Sequence, residues 1–159
     1  MGRYADDCEE IRQLAAEYNW RLDAGDVEAW VACFTEDGSF SCVGLPEGDL
    51  RGGIHTGRET LREYGRNHYA INKGRVRHWN WNLLIDVDGD EATLRCYMNA
   101  FGAGRAESAE LRFTGFYRDT LRRTSEGWRF VSREVTLDPA SDRLSLFSRP
   151  PNAYRPRAL

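Results

Sequence analysis

From about Val76 onward the chain is written in a period of two. Trp79, Trp81, Leu83, Ile85 and Val87 alternate with His78, Asn80, Asn82, Leu84 and Asp86, the spacing of a strand with two unlike faces. Asp88-Gly-Asp90 supplies a hairpin turn, and Ala92 to Phe101 forms the next strand. A Gly/Ala-rich connection leads to Leu111–Leu121, a further turn falls at Ser125-Glu-Gly127, and Trp128–Leu137 completes a meander. The first half has a different period. Ile11, Leu14, Ala15, Tyr18 and Leu22 recur at helical spacing within a helix from about Asp6 to Ala24. Gly25 breaks that helix, and Asp26 is a suitable N-cap for a short second one through Trp30 and Phe34. Thr35-Glu-Asp-Gly38 reads as a turn, Ser39 to Val43 as a short strand, and Gly44 to Gly57 as the longest loop. A third helix over Arg58–Ala70 presents Leu61, Tyr64 and His68 on one side. Helices first, then long antiparallel strands joined by hairpins, define an α+β fold.

Composition narrows the class of function. The 159 residues suit one domain, placed at 1–138, followed by an irregular tail at 139–159 containing Pro150, Pro151 and Pro156. Leu144, Leu146 and Phe147 give the tail apolar side chains that could dock on the body or on a partner. With 22 basic and 25 acidic residues the net charge is −3, so no basic surplus exists to displace phosphate counterions, and nucleic acid is not the expected partner. No apolar run approaches the roughly 20 residues that span a bilayer, and the polar, acidic N-terminus carries no signal-like segment. Cys8, Cys33, Cys42 and Cys96 have neither CxxC spacing nor a neighbouring histidine, which points to buried free thiols in a reducing cytoplasm rather than to a metal site.

Two residues offer chemistry without a cofactor. Asp23 lies near the end of the first helix, about 20° round from Ala16 on the edge of the apolar face. Acidic residues there often serve the following turn, but Gly25 and Asp26 already supply the break and the cap. His78 opens the first long strand and shares its face with Asn80 and Asn82. It is either a strand-end histidine satisfied by backbone or a proton acceptor that Asp23 orients. Tyr18 is either a core tyrosine or a hydroxyl donor to a substrate oxygen. Tyr97 and Asn99 share a strand parity as further polar contacts, and Trp30, Tyr64 and Phe116 are the candidates for lining a substrate pocket. Arg133 alternates with Val131 and Val135 and reads, like Asp119, as structural. A phosphate loop, a nucleophile elbow and an HExxH motif are all missing, so no cofactor and no metal are expected.

The order of these motifs resembles the SnoaL-like branch of the NTF2-like superfamily. The resemblance is carried by Tyr18 with Leu22-Asp23 and Gly25-Asp26, then Trp30, Phe34-Thr35, Asp37-Gly38 and Gly57-Arg58-Glu59. It continues through Arg77-His78, Val87, Gly89-Asp90, Ala92, Tyr117, Asp119 and Gly127-Trp128-Arg129-Phe130, covering residues from about 8 to 137. It implies a cone in which a curved antiparallel sheet wraps over about three helices and encloses one mostly apolar pocket. The family includes dehydratases, cyclases, isomerases and non-catalytic subunits, so fold alone does not assign a reaction.

In the dehydratase-like members an aspartate ends the first helix and a histidine opens the first long strand, and Asp23 and His78 occupy those positions. The spacing from Tyr18 to Asp23 also matches bile acid dehydratase. Departures from scytalone dehydratase are Leu22 and Cys42 in place of tyrosines. A second histidine is also missing, since His55 and His68 precede the strand. The expectation is a cofactor-independent lyase of dehydratase type, with a small hydrophobic, cyclic or polyketide-like substrate. The same dyad would serve an isomerase or cyclase, and a non-catalytic ligand-binding protein is the alternative of another class. The tryptophan-bearing strand face suggests a homodimer or higher homo-oligomer.

Overall fold

In the computed structural model, residues 2–138 are described except 47, 50 and 105–108; the expected tail thus lies outside the described residues. Helix α1 spans Gly2–Ala24, starting earlier than its periodicity suggests, and buries Ile11, Leu14, Ala15, Tyr18 and Leu22. Its end is set by backbone geometry. Gly25 adopts φ 78°, its N–H donates to the Leu22 carbonyl at 3.2 Å, and the Asp26 N–H donates to the Arg21 carbonyl at 3.0 Å. That paired arrangement stops a helix within one residue. Asp26 then caps α2 (Val27–Val31), its carboxylate accepting from the Ala29 N–H at 3.3 Å.

Strand β1 (Phe34–Val43) absorbs the turn expected at Thr35–Gly38 as an irregularity between Phe34 and Ser39. The long loop expected over 44–57 holds a short strand instead. This β2 (Gly53–Thr56) pairs antiparallel with β1, a segment too short to declare itself by alternation. Helix α3 (Arg58–Asn72) carries the chain across to β3 (Val76–Asp88), β4 (Glu91–Gly102), β5 (Glu110–Thr124) and β6 (Gly127–Leu137). The sheet order is β2-β1-β6-β5-β4-β3. All neighbours are antiparallel except β1 and β6, which run parallel. The sequence pattern does not reveal that pair, because parallel partners are joined by a distant crossover. Here α3 and the meander provide it, leaving β3 at the sheet edge against α1.

A second departure lies inside β3. The register with β4 shifts between Trp81 and Leu84, and Asn82 takes φ 53°. A bulge of this kind adds one residue and reverses side-chain parity. Trp79 and Trp81 therefore sit on the outer face, while Leu83, Ile85 and Val87 turn inward and pack on the core, although strict alternation puts all five together.

The core lies between the helices and the inner sheet face. At its centre Arg133 is fully buried, ion-paired to Asp119 at 2.8 Å, with its guanidinium 3.7 Å from the Tyr117 ring centroid and 4.3 Å from that of Tyr18. A guanidinium suits such a place because its flat faces tolerate aromatic rings while its edge meets a carboxylate. Around it Trp30 stacks on Tyr64 at 5.7 Å, and Phe34 and Phe130 complete the cluster.

The end of α1 offers a direct stability test. A Cβ on Gly25 would collide with the Tyr69 ring, and the left-handed backbone is strained for any other residue. Gly25→Ala is expected to lower the unfolding free energy by roughly 1–3 kcal/mol in urea titrations.

Candidate active site

The end of α1 and the start of β3 meet through one carboxylate. Asp23 Oδ2 accepts the backbone N–H of His78 at 2.8 Å, and Oδ1 lies 2.6 Å from His78 Nδ1. Holding both the main chain and the ring of one residue fixes the imidazole in position and in plane. A carboxylate is an acceptor, so Nδ1 is the donor in this pair, and in the neutral ring the lone pair lies on Nε2. The two side chains are only 9% and 10% exposed, for Asp23 and His78 respectively. Low exposure strengthens the contact, since water competes little for it.

Both residues line a cavity of about 460 Å³ at the corner where α1, α3 and β3 converge. This lies within the size range of small-molecule sites. Its walls include Asn19 and Trp20 from α1, Tyr69 and Lys73 from the end of α3, and Arg77 and Trp79 from β3. A second hollow of about 410 Å³ shares Asn19, Trp20, His78 and Trp79 and continues along the groove toward Asn80 and Leu83. Several polar atoms in these walls have no hydrogen-bond partner among the described residues: Asn19 Oδ1 and both side-chain polar atoms of Asn80.

Behind His78 stands His68. The two rings are 5.5 Å apart, and His68 continues through Tyr64 at 6.1 Å to His55, which is 4.8 Å from Tyr64. All three histidines of the chain therefore share one row that ends on Asp23. Burial pushes the pKa of His68 down to about 3, with smaller contributions from His78 and Arg51. His68 is therefore neutral in the folded protein, and its Nδ1 lacks a partner among the described residues.

The other residues singled out from sequence are placed elsewhere. Tyr18 is five positions before Asp23, about 140° round the helix, and points into the core against Arg133. Its hydroxyl does not reach the dyad's cavity; the phenol lining that cavity is Tyr69. Trp30 and Tyr64 are buried in the aromatic core. Tyr97, Asn99 and Phe116 belong to the opposite sheet face: Tyr97 pairs with Trp81 and Phe116, Asn99 pairs with Trp79, and Arg118 sits over the Phe116 ring. Their parity is correct for one shared face but identifies the outer one. All four cysteines are free and buried. Among the described residues no cluster of three or more His, Cys, Asp or Glu could hold a metal ion, and no helix is long and apolar enough to cross a membrane.

The model of the SnoaL-like domain matches residues 3–134. The chain belongs to the SnoaL-like family. Its fold is similar to an aspartate-to-asparagine variant of Rv3472, a protein of unknown function from Mycobacterium tuberculosis. The two share 30% identity with a TM-score of 0.78 over 96% of this chain and 83% of that one. It is also similar to an NTF2-like protein with a cystatin-like fold from Novosphingobium aromaticivorans, with 31% identity and a TM-score of 0.74 over 92% of each chain. A protein provisionally named a scytalone dehydratase, from the same organism, aligns at 25% identity with a TM-score of 0.70 over 85% of this chain and 86% of that one. No curated protein matches the sequence.

For this SnoaL-like chain, sequence reasoning missed Asn19, Trp20, Tyr69, Lys73 and Arg77. Asn19 could have been found, because it lies one turn before Asp23 on the same helix face. Tyr69 on α3 and Lys73 at its C-cap are likewise four residues apart, but nothing local shows that the end of α3 faces that of α1.

His68 makes stability depend on pH with a definite sign. It stays neutral when folded but takes a proton when unfolded below about pH 6.5, so its contribution is complete above that value and lost as pH falls. The loss should reach about 2 kcal/mol by about pH 5. His68→Phe keeps a ring in place and should flatten that part of the stability–pH curve; parallel curves for both proteins would contradict a buried neutral imidazole.

Proposed function

We propose that this protein is a cofactor-independent lyase of dehydratase type, acting on a small hydrophobic, cyclic or polyketide-like molecule. The reading rests on the two-point grip of Asp23 on His78 at the wall of a cavity. With Nδ1 committed to Asp23, Nε2 of His78 is the base. It takes the proton alpha to a substrate carbonyl, and the C–H electron pair moves to the carbonyl oxygen as an enolate. Collapse of the enolate expels hydroxide from the beta carbon and forms the double bond. The proton held on His78 then returns to the departing oxygen as water. Asp23 favours the imidazolium formed in between, a role worth roughly two to four decades in rate. Asn19 and Tyr69 line the same cavity and are the candidate donors to the developing oxyanion.

An isomerase or cyclase would use the same first step and differ only in the substrate, which would lack a leaving group on the beta carbon. Membership of the SnoaL-like family and likeness to a protein provisionally named a scytalone dehydratase support elimination as the first reading. We place this chemistry in the cytoplasm, in keeping with four unpaired buried thiols.

The test is a panel of cyclic beta-hydroxy ketones in deuterium oxide, scored for water loss and for deuterium uptake at the alpha carbon. Asp23→Asn and His78→Gln should each reduce the rate by roughly a hundredfold to ten-thousandfold. A reduction below tenfold would assign the cavity to ligand binding without catalysis.

We also propose that the outer sheet face forms a homodimer. Trp81, Leu84 and Tyr97 are between 46% and 47% exposed and form an apolar patch. Sedimentation should give a dimer at micromolar concentration, and Trp81→Glu should shift it toward monomer; a wild-type monomer would contradict this interface.

A further inference from the structure

The charge around the dyad's cavity does not follow the charge of the chain. The protein is acidic overall, at −3, yet the charged residues lining the cavity are Asp23, Lys73 and Arg77. Asp23 is committed to His78, so the remaining lining charge is positive. Arg75 lies between the two cations in sequence and is exposed like them. None of the three has an ion-pair partner among the described residues, whereas Arg21, Arg51, Arg62, Arg123 and Arg129 all do.

The rim cations are also held in place by backbone. Lys73 caps α3 with φ 52°, its N–H donating to the Tyr69 carbonyl at 2.6 Å. Arg77 Nη1 donates to the carbonyls of Gly74 at 2.8 Å and Val76 at 2.6 Å. Those bonds use Nη1 alone. Beside the cations stand aromatic walls: Trp20 is 79% exposed and Trp79 49% exposed, and both line the cavity. An indole that open to solvent is a ready stacking surface for a flat ring.

We propose that the substrate is a flat hydrophobic ring bearing an anionic substituent, a carboxylate or a phosphate, which Lys73 and Arg77 bind at the rim while the ring lies on Trp20 and Trp79. The inference deepens the proton-transfer reading of this cavity and rests on it. The anion and the ring supply binding free energy away from the reacting carbon, which can then be placed at His78 Nε2. When His78 accepts the proton the lining becomes more positive, so an anionic substrate gains in the activated state as well.

Equilibrium binding tests the rim without requiring turnover. Quenching of tryptophan fluorescence would be titrated with naphthoate, naphthyl phosphate and the neutral naphthamide. At low salt at least one anion should bind about fivefold to tenfold tighter than the amide, and the advantage should shrink as salt is raised. The better of the two anions distinguishes a carboxylate from a phosphate substituent. The advantage should vanish in the Lys73→Asn, Arg77→Gln double variant, which alters exposed residues only, and should persist in Asp23→Asn. Equal binding of all three compounds, no binding of any, or an anion preference that survives the double variant would overturn the proposal. If instead the preference holds while Asp23→Asn leaves turnover intact, the rim stands and the dyad reading fails.

Discussion

One carboxylate ties the helical half of this protein to its sheet. Asp23 accepts from both the backbone and the ring of His78, so the end of α1 and the start of the edge strand β3 are registered by a single side chain. The devices around it keep that carboxylate where it is. Gly25 stops the helix two residues later, and the Tyr69 ring packs where a Cβ would otherwise be.

Charge and polarity are divided between two places with different tasks. In the core, Arg133 and Asp119 neutralise one another among aromatic rings, an arrangement costly to break because either partner alone would be a buried, unpaired charge. At the corner of α1, α3 and β3, the Asp23–His78 pair instead borders a cavity. His68 lies between these regimes, buried and neutral behind the His78 ring.

Much of this was legible in the chain. The change from helical to alternating periodicity gives α+β, Gly25-Asp26 gives the break and cap, and Asp23 and His78 stand out by their places at the end of one element and the start of another. The remainder was hidden for identifiable reasons. A bulge at Asn82 reverses the parity of β3, and alternation read as unbroken assigns Leu83, Ile85 and Val87 to the wrong side. Strand β2 has four residues, too few for a pattern to declare itself. Tyr97 and Asn99 were correctly read as sharing a face, but which face is inner is decided by packing rather than by parity. Lys73, Arg77 and Tyr69 reach the cavity only because α3 ends against α1, a tertiary fact with no local signature.

The most direct test is the protonation pattern of the His78 ring, read by nitrogen NMR of the imidazole. If Asp23 sets that ring, the neutral form carries its proton on Nδ1 and presents a bare Nε2, and Asp23→Asn abolishes the preference. A ring protonated on Nε2, or one indifferent to Asp23→Asn, would contradict a proton-accepting role for His78.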